Sequence, residues 1–428
     1  MTLPIFAAMD KFIVEGGVRL SGTVAISGAK NASLALMPAC LLAPGAFTLT
    51  NTPNNRDLWT MSGLLGNMGV ATALDGDVLT LDATHLTSRE APYEYVKQMR
   101  ASIYVLGPLV ARYGEARVSL PGGCNFGPRP VDLHLKGLER LGAKIDVEGG
   151  YIIATCDRLR GNHFHFDVSS VGASVNVIMA ATLAAGETKL TNVALEPEVL
   201  SVIEMLVKMG ARIEGAGTTT LHIQGVDALN AVEFATIPDR IEAATFLTAA
   251  AMTRGDVTLT RVAPEHLTGV LDRMEDTGCT LEIGADTIRV VMNDRPEAVD
   301  ITATTYPGFP TDSQAQWAAY MLAAKGAARI KDTIYPTRFG YVPELQRLGA
   351  DIETGEGYCV VKGGAKLTGA TVMSSDLRAS ASLVMAALIA EGQTEILRVY
   401  HLDRGYEALE KKLGGLGALI RRVKTEEF

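Results

Sequence analysis

Two series of glycines divide the chain into six. Gly69, Gly142, Gly210, Gly278, Gly349 and Gly417 recur at intervals of about seventy residues, in contexts such as Glu-Arg-Leu-Gly-Ala, Val-Lys-Met-Gly-Ala and Gln-Arg-Leu-Gly-Ala. A second series, Gly45, Gly114, Gly186, Gly255, Gly326 and Gly392, precedes the first by 23 to 28 residues each time. Two independent series in six registers mean six copies of one unit. A unit of this size buries too little apolar surface to stand alone, so the copies must share cores. Propeller blades are shorter and lack helices, and solenoid repeats are usually shorter as well.

Each unit reads as α/β. A first helix ends near the earlier glycine, as in Ile241–Arg254 and Arg378–Glu391, where glycine supplies the left-handed cap. A short strand follows, such as Thr188–Leu190 or Val257–Leu259. A polar loop and a second helix come next, the last of them placing Tyr406, Leu409, Leu413 and Leu416 on one face. After the later glycine two alternating strands flank a tight turn, seen in Leu281 and Ile283, Gly284-Ala285-Asp286, then Ile288 and Val290. One more strand is expected at the front of each unit. Helices such as Val175–Leu183 and Ala381–Ile389 are apolar nearly all round, so they belong inside and the sheets outside. With 428 residues, six units imply two halves of three units each.

Charge narrows the function. Lys and Arg total 39 against 48 Asp and Glu, a net charge of -9, which argues against a general nucleic-acid or acidic-membrane binder. Five scattered cysteines with no CxxC fit a reduced, cytoplasmic protein without a zinc or disulfide framework. The most apolar stretch, Ser33–Phe47, is broken by Pro38, Pro44 and Gly45, and the first residues carry no basic export region. Within this acidic chain, cations fall at matched places in different units. Lys30, Arg129, Arg338, Arg378 and Arg404 stand in loops that lead into helices, where free N–H groups favour anions. One such basic residue alone is usually solvated surface; five at matched positions point to an anion site. The loop Leu120–Pro130 is rich in glycine and holds Cys124 beside Arg129, a candidate reactive thiol. Cys40, Cys156, Cys279 and Cys359 read as buried apolar residues. His163 and His165 share a strand face without a third ligand nearby, so a solvated face explains them better than a metal.

Six motifs stand in order: Ser27-Gly28-Ala29-Lys30-Asn31-Ala32, Pro121-Gly122-Gly123-Cys124, Arg129-Pro130-Val131-Asp132-Leu133-His134, Phe309-Pro310-Thr311-Asp312, Asp376-Leu377-Arg378-Ala379-Ser380 and His401-Leu402-Asp403-Arg404-Gly405-Tyr406. Together they resemble the enolpyruvyl transferase family, in its bacterial UDP-N-acetylglucosamine 1-carboxyvinyltransferase branch. The resemblance runs from Met9 to about Val423 and implies a two-domain inside-out α/β barrel of six βαβαββ units. Residues 1–29 and 238–428 would form the catalytic domain and 30–237 the second domain. The implied reaction moves the enolpyruvyl group of phosphoenolpyruvate to the sugar 3′-hydroxyl of UDP-N-acetylglucosamine and releases phosphate. That is the first committed step of peptidoglycan synthesis, hence of cell-wall growth and division. The resemblance implies no metal or organic cofactor, no nucleic-acid or membrane partner, and a monomer.

The family roles carry over to matching residues. Lys30, Arg129 and Arg404 would hold the phosphate of phosphoenolpyruvate, Arg338 and Arg378 its carboxylate, and Asn31 would belong to the same phosphoenolpyruvate site. Arg100, the run Arg129, Pro130, Val131, Asp132 and Leu133, then Ser170, Val171 and Gly172, with Asp312 and Ile334, would line the nucleotide-sugar site. Asp312 would take the proton of the sugar hydroxyl, and Cys124 would give one to the enol methylene carbon. The same cysteine would be the target of the epoxide fosfomycin. Val168 stands where some members have lysine, and Ser201 where an aspartate is expected. The rival readings are a paralogue acting on another nucleotide or on shikimate phosphate, and a sensor that binds the nucleotide sugar without catalysis. The Pro-Gly-Gly-Cys loop speaks against shikimate phosphate, and the presence of Lys30, Cys124, Asp312 and Arg404 against the sensor.

Overall fold

The structure is a computed structural model and describes residues 10–120 and 131–424. The chain forms two compact units, one of residues 1–27 and 238–428, the other of residues 28–237. Each has its own apolar core.

The described residues contain six sheets of four strands, three in each unit. The strand expected at the front of each repeat is present; in four repeats it lies parallel to the next strand, as His163–His165 lies against Glu187–Thr191, while Ser21–Ala25 and Glu233–Ala235 are exchanged, pairing with Asp256–Thr260 and Ala46–Thr50. The hairpin that closes the repeat then adds antiparallel strands, for example Thr280–Ile283 and Thr287–Val291. Along the strands burial alternates, because one face meets the core and the other meets water.

The core of the first unit is a group of helices buried on every side. Arg240–Met252, Gln314–Met321 and Leu377–Ile389 pack on one another. Small side chains make this close packing possible: Ala243, Ala244, Ala249, Ala250, Ala251, Ala318, Ala319, Ala386 and Ala387 are all buried. In the second unit Lys30–Ala39 and Val171–Ala181 are buried in the same way.

The helices expected over Ile241–Arg254 and Arg378–Glu391 run Arg240–Met252 and Leu377–Ile389, that expected over Val175–Leu183 begins four residues earlier, at Val171, and one cap differs. Eleven of the twelve repeat glycines adopt positive φ, but after Arg240–Met252 it is Arg254 that does so, at φ 55, and not Gly255. Gly255 serves close packing instead, since a Cβ there would meet the Leu20 carbonyl oxygen at 2.5 Å. Tyr406 also departs from expectation. It is buried like Leu409, Leu413 and Leu416, yet it precedes the last helix, Leu409–Gly415, and faces other partners.

Candidate active site

In the first unit the polar groups gather where the buried helices begin. Asp239 and Asp376 cap two of them: Asp239 accepts from the N–H groups of Ile241 and Glu242, and Asp376 from those of Arg378 and Ala379. Asp312 holds the matching place before the third helix, in the short turn Thr311–Ser313, but its carboxylate is turned to other use. Arg338 Nη1 donates to Oδ1 at 2.8 Å, and Arg378 Nη2 donates to Oδ2 at 2.8 Å. Both arginine side chains are nearly buried, while that of Asp312 keeps 26% of its surface exposed. Burial alone would raise the Asp312 carboxyl; the guanidiniums of Arg378 and then Arg338 outweigh it and hold it well below the ordinary carboxylate value.

A second layer fixes these groups. Thr311 Oγ1 accepts from Arg338 Nη1 at 3.2 Å and donates to Asp332 Oδ2 at 2.6 Å. Asp332, itself buried, accepts from the backbone N–H groups of Ile334 and Tyr335 at 2.8 Å each, which shapes the loop that carries Ile334. Gln316 Nε2 donates to the Asp312 carbonyl at 3.0 Å and to Tyr406 Oη at 3.1 Å. Tyr406 Oη lies 2.8 Å from Thr245 Oγ1 and accepts from Arg378 Nη1 at 3.4 Å. Side chains from four segments of sequence therefore set one carboxylate and two guanidiniums. Arg404 lies in the turn Val399–Arg404. Its neighbour Asp403 is gripped by Arg422 of the last strand, which also donates to Glu410 Oε1 at 3.1 Å, so the turn is tied to the sheet.

In the second unit Lys30 opens the helix Lys30–Ala39, and its Nζ lies 3.2 Å from Asp57 Oδ2. Asp57 is buried in the first turn of Arg56–Asn67. Asn31 follows Lys30 in the same helical turn and is half-buried. Arg100 begins the turn Arg100–Val105. Val131, Asp132 and Leu133 lead into and open the helix Asp132–Arg140, half-buried or exposed, and His134 behind them is 7% exposed. Ser170 caps Val171–Ala181, accepting from the Ala173 N–H at 3.4 Å.

Burial, and next the charge of Arg100, push His134 down from 6.5 to about 4, against the opposing pull of Asp132. The unfolded ring takes up its proton near 6.5 and the folded ring only near 4, so between these values the unfolded chain holds more protons. Stability from this residue is thus complete above 6.5 and is lost as pH falls toward 4. The expected loss is on the order of 3 kcal/mol. Urea unfolding at pH 7 and pH 4.5 should show a smaller pH dependence for His134→Gln than for the unaltered protein; equal slopes would contradict the assignment.

Cys124, Arg129 and Pro130 lie outside the described residues. Of the other cysteines, Cys40, Cys279 and Cys359 are buried, with burial raising their thiols to about 12, about 11 and about 11. Cys156 corrects the expectation of burial: it is half-buried, and burial raises its thiol. His163 Nε2 and His165 Nδ1 both approach Thr191 Oγ1, at 3.3 and 2.9 Å, on an exposed strand. No group of three or more His, Cys, Asp and Glu among the described residues is arranged to hold a metal ion.

Comparison with known proteins bears on this geometry. The sequence profile of EPSP synthase (3-phosphoshikimate 1-carboxyvinyltransferase) matches residues 14–413. A UDP-N-acetylglucosamine 1-carboxyvinyltransferase of Chlorobium chlorochromatii is 53% identical over 423 residues, covering 98% of this chain and 100% of its own. One from Desulfosudis oleivorans is 53% identical over 415 residues, covering 97% of this chain and 100% of its own. The chain belongs to the UDP-N-acetylglucosamine 1-carboxyvinyltransferase family. Among solved structures, the enolpyruvyl transferase NikO from Streptomyces tendae superposes with a TM-score of 0.89 at 27% identity, over 98% of this chain and 100% of that one. An EPSP synthase from Acinetobacter baumannii, at 19% identity and a TM-score of 0.74, shares the fold.

Against the expectations for a member of this family, the structure brings Asp312, Arg338 and Arg378 into one cluster and sets Ile334 on the loop braced by Asp332. It corrects the placing of two cations. Arg338 precedes the short helix Val342–Arg347 by four residues, and Arg404 ends a 3-10 turn, so neither sits at a helix N-terminus. Lys30 and Arg378 do, at the first and second positions of their helices. Of the two departures from the family pattern, Val168 is 64% exposed shortly before Ser170. Ser201 is buried in Pro197–Lys208, and its hydroxyl has no hydrogen-bond partner among the described residues. Reading the sequence missed Thr245, Gln316, Asp332 and Tyr406. Polar residues inside helices apolar all round were the available signal for Thr245 and Gln316, because a buried polar group must find a partner.

Proposed function

We propose that this chain transfers the enolpyruvyl group of phosphoenolpyruvate to the 3′-hydroxyl of UDP-N-acetylglucosamine, releasing phosphate, as the first committed step of peptidoglycan synthesis. It acts as a cytoplasmic monomer without metal or organic cofactor. Residues 1–29 and 238–428 form the catalytic domain and 30–237 the second domain, each an inside-out α/β barrel. The separate cores and the helices buried behind the sheets support this architecture.

Phosphoenolpyruvate carries a phosphate and a carboxylate, and the site must answer both. Lys30, Arg129 and Arg404 bind the phosphate; Arg338 and Arg378 bind the carboxylate through charge-assisted hydrogen bonds, and Asn31 belongs to the same site. Arg100, Arg129–Leu133, Ser170–Gly172 and Ile334 hold the nucleotide sugar. In the addition step Cys124 gives a proton to the methylene carbon, the sugar oxygen bonds to the neighbouring carbon, and Asp312 receives the hydroxyl proton. In the elimination step the methyl group returns a proton to the Cys124 thiolate, the carbon–oxygen bond to phosphate breaks as the carbon–carbon double bond re-forms, and phosphate leaves with the proton that Asp312 took up. The observation that carries this reading is Asp312 joined to Arg338 and Arg378, in a chain 53% identical over 98% of its length to the Chlorobium chlorochromatii relative.

The test is phosphate release from phosphoenolpyruvate with UDP-N-acetylglucosamine, shikimate 3-phosphate or UMP as acceptor. Rapid release with the first alone is expected; release with either of the others would sink the assignment. The same preparation, treated with fosfomycin, should gain mass on the peptide containing Cys124, where the thiolate opens the epoxide and the released oxygen takes a proton. Cys124→Asp should keep activity, because a carboxylic acid also gives a proton, and should escape labelling. Cys156 is the informative competitor, being less buried than the other three. Labelling there instead of at Cys124 would refute the role of Cys124.

A further inference from the structure

The sequence motif Arg129–His134 ends in a histidine to which the proposed reaction gives no part. Its surroundings fix which ring nitrogen carries the proton. Asn176 Oδ1 accepts from the Gly107 N–H at 2.6 Å, which settles the orientation of the amide. The other end, Nδ2, then donates both hydrogens, one to the Ile103 carbonyl at 2.9 Å and one to His134 Nδ1 at 3.0 Å. Nδ1 must accept, so the neutral ring bears its hydrogen on Nε2.

That N–H faces the first turn of Val171–Ala181. A Cβ at Gly172 would stand 3.2 Å from Nε2 and 3.3 Å from Cε1, so only a glycine lets the ring come this near without displacement. The N–H groups of Val171 and Gly172 begin the helix and have no acceptor within it. The next one, of Ala173, is already held by Ser170 Oγ. Arg100 adds positive charge close enough to affect the ring. None of the described residues accepts a hydrogen bond from His134 Nε2. The Nε2–H of His134 and the N–H groups that open the helix thus converge beside a ring that is nine-tenths buried.

We propose that His134 is a substrate-binding residue that donates one hydrogen bond from Nε2 to an anionic oxygen of the nucleotide sugar at the N-terminus of Val171–Ala181. The inference rests on the reading of Ser170–Gly172 as part of the nucleotide-sugar site. Asn176 acts behind it as a positioning residue, since it sets the tautomer. A ring kept uncharged gives its hydrogen bond without placing a second buried cation beside Arg100.

Calorimetric titration with UDP-N-acetylglucosamine, without phosphoenolpyruvate, tests this in the unaltered protein, His134→Phe and His134→Gln. Phenylalanine keeps a ring against Gly172 but removes the donor, and affinity is expected to fall about tenfold to a hundredfold. Glutamine keeps an N–H and should recover most of the loss. The KM for phosphoenolpyruvate should stay within about twofold in both variants, a split that general damage would not produce. Nitrogen-15 spectra of the unaltered protein should show a protonated Nε2 whose signal shifts when the ligand saturates. Equal affinity in His134→Phe, or an Nε2 signal unmoved by ligand, would overturn the proposal even if both variants fold poorly. Failure of the unaltered protein to bind the nucleotide sugar would overturn the underlying reading as well.

Discussion

Asp312→Asn is expected to lower kcat by about 10²- to 10⁴-fold, the usual contribution of a positioned proton acceptor. The amide cannot take the hydroxyl proton, and it turns an N–H group toward one of two guanidiniums. Stability should fall too, by about 1–3 kcal/mol, because Arg338 and Arg378 keep their buried charges and lose their shared partner. That loss is measurable by thermal unfolding and is separate from turnover. The geometry adds a condition on the reaction. The carboxylate whose basicity is needed is held by the same two arginines that the reading assigns to phosphoenolpyruvate. While they bind Asp312 it is a weak base; a substrate carboxylate that draws them away raises its affinity for a proton. Asp312 stabilises the fold above the ordinary carboxylate value, and this contribution fades as pH falls below it toward the depressed folded value. The Asn variant should therefore lose part of the acid sensitivity of unfolding below about pH 4. A folded Asp312→Asn protein with turnover within tenfold of the original would exclude the proton-acceptor role.

The second large effect is expected at Lys30. Lys30→Ala should cut kcat/KM for phosphoenolpyruvate by about tenfold to a hundredfold or more, the worth of a charge-assisted bond to phosphate. It should also destabilise the protein, because Asp57 is buried and Lys30 Nζ stands 3.2 Å from it. Two effects in one variant need separating. Lys30→Ala combined with Asp57→Asn removes the buried negative charge and should restore much of the unfolding temperature. Activity should not return, since the cation is still missing. Recovery of kcat/KM in the double variant would mean that Lys30 serves only to neutralise Asp57.

How much of this is legible in the sequence depends on range. The repeat, the hairpins and the apolar helices are local patterns, and they read through because each is set by neighbours a few residues away. The cap at Arg254 is also local but was hidden: a repeat that shows glycine five times invites a sixth, and Gly255 is there for a different reason. Tyr406 misled for the same cause, its spacing to Leu409 being helical while the chain at Ala408 turns left-handed, at φ 47. Long-range facts were out of reach. Nothing in a linear pattern pairs Asp312 with Arg378, 66 residues away, or assigns the Asn176 amide to His134, 42 residues away. The cations stood out because they recur at matched places in the repeat; their partners, acids and amides without such a pattern, did not.

The two passages of the chain between its units also carry a consequence. Ala29 N–H donates to the Ile237 carbonyl at 2.7 Å, and Asp239 N–H to the Ser27 carbonyl at 2.9 Å, so the outgoing and returning segments run side by side. Gly28, where a Cβ would fall 1.6 Å from the Asn51 carbonyl oxygen, marks the first passage. Each segment leaves a strand behind: Ser21–Ala25 fronts the sheet of Asp256–Thr260, and Glu233–Ala235 fronts that of Ala46–Thr50. The opening strand Asp10–Glu15 likewise completes the sheet built by Gln393–Leu397 and Leu419–Lys424. Each unit is thus a cycle of three equivalent members with no inherent beginning. The order in which the ribosome delivers the repeats is one of several ways to write the same object, and residues 28–237 are a complete cycle spliced into a single bend of another.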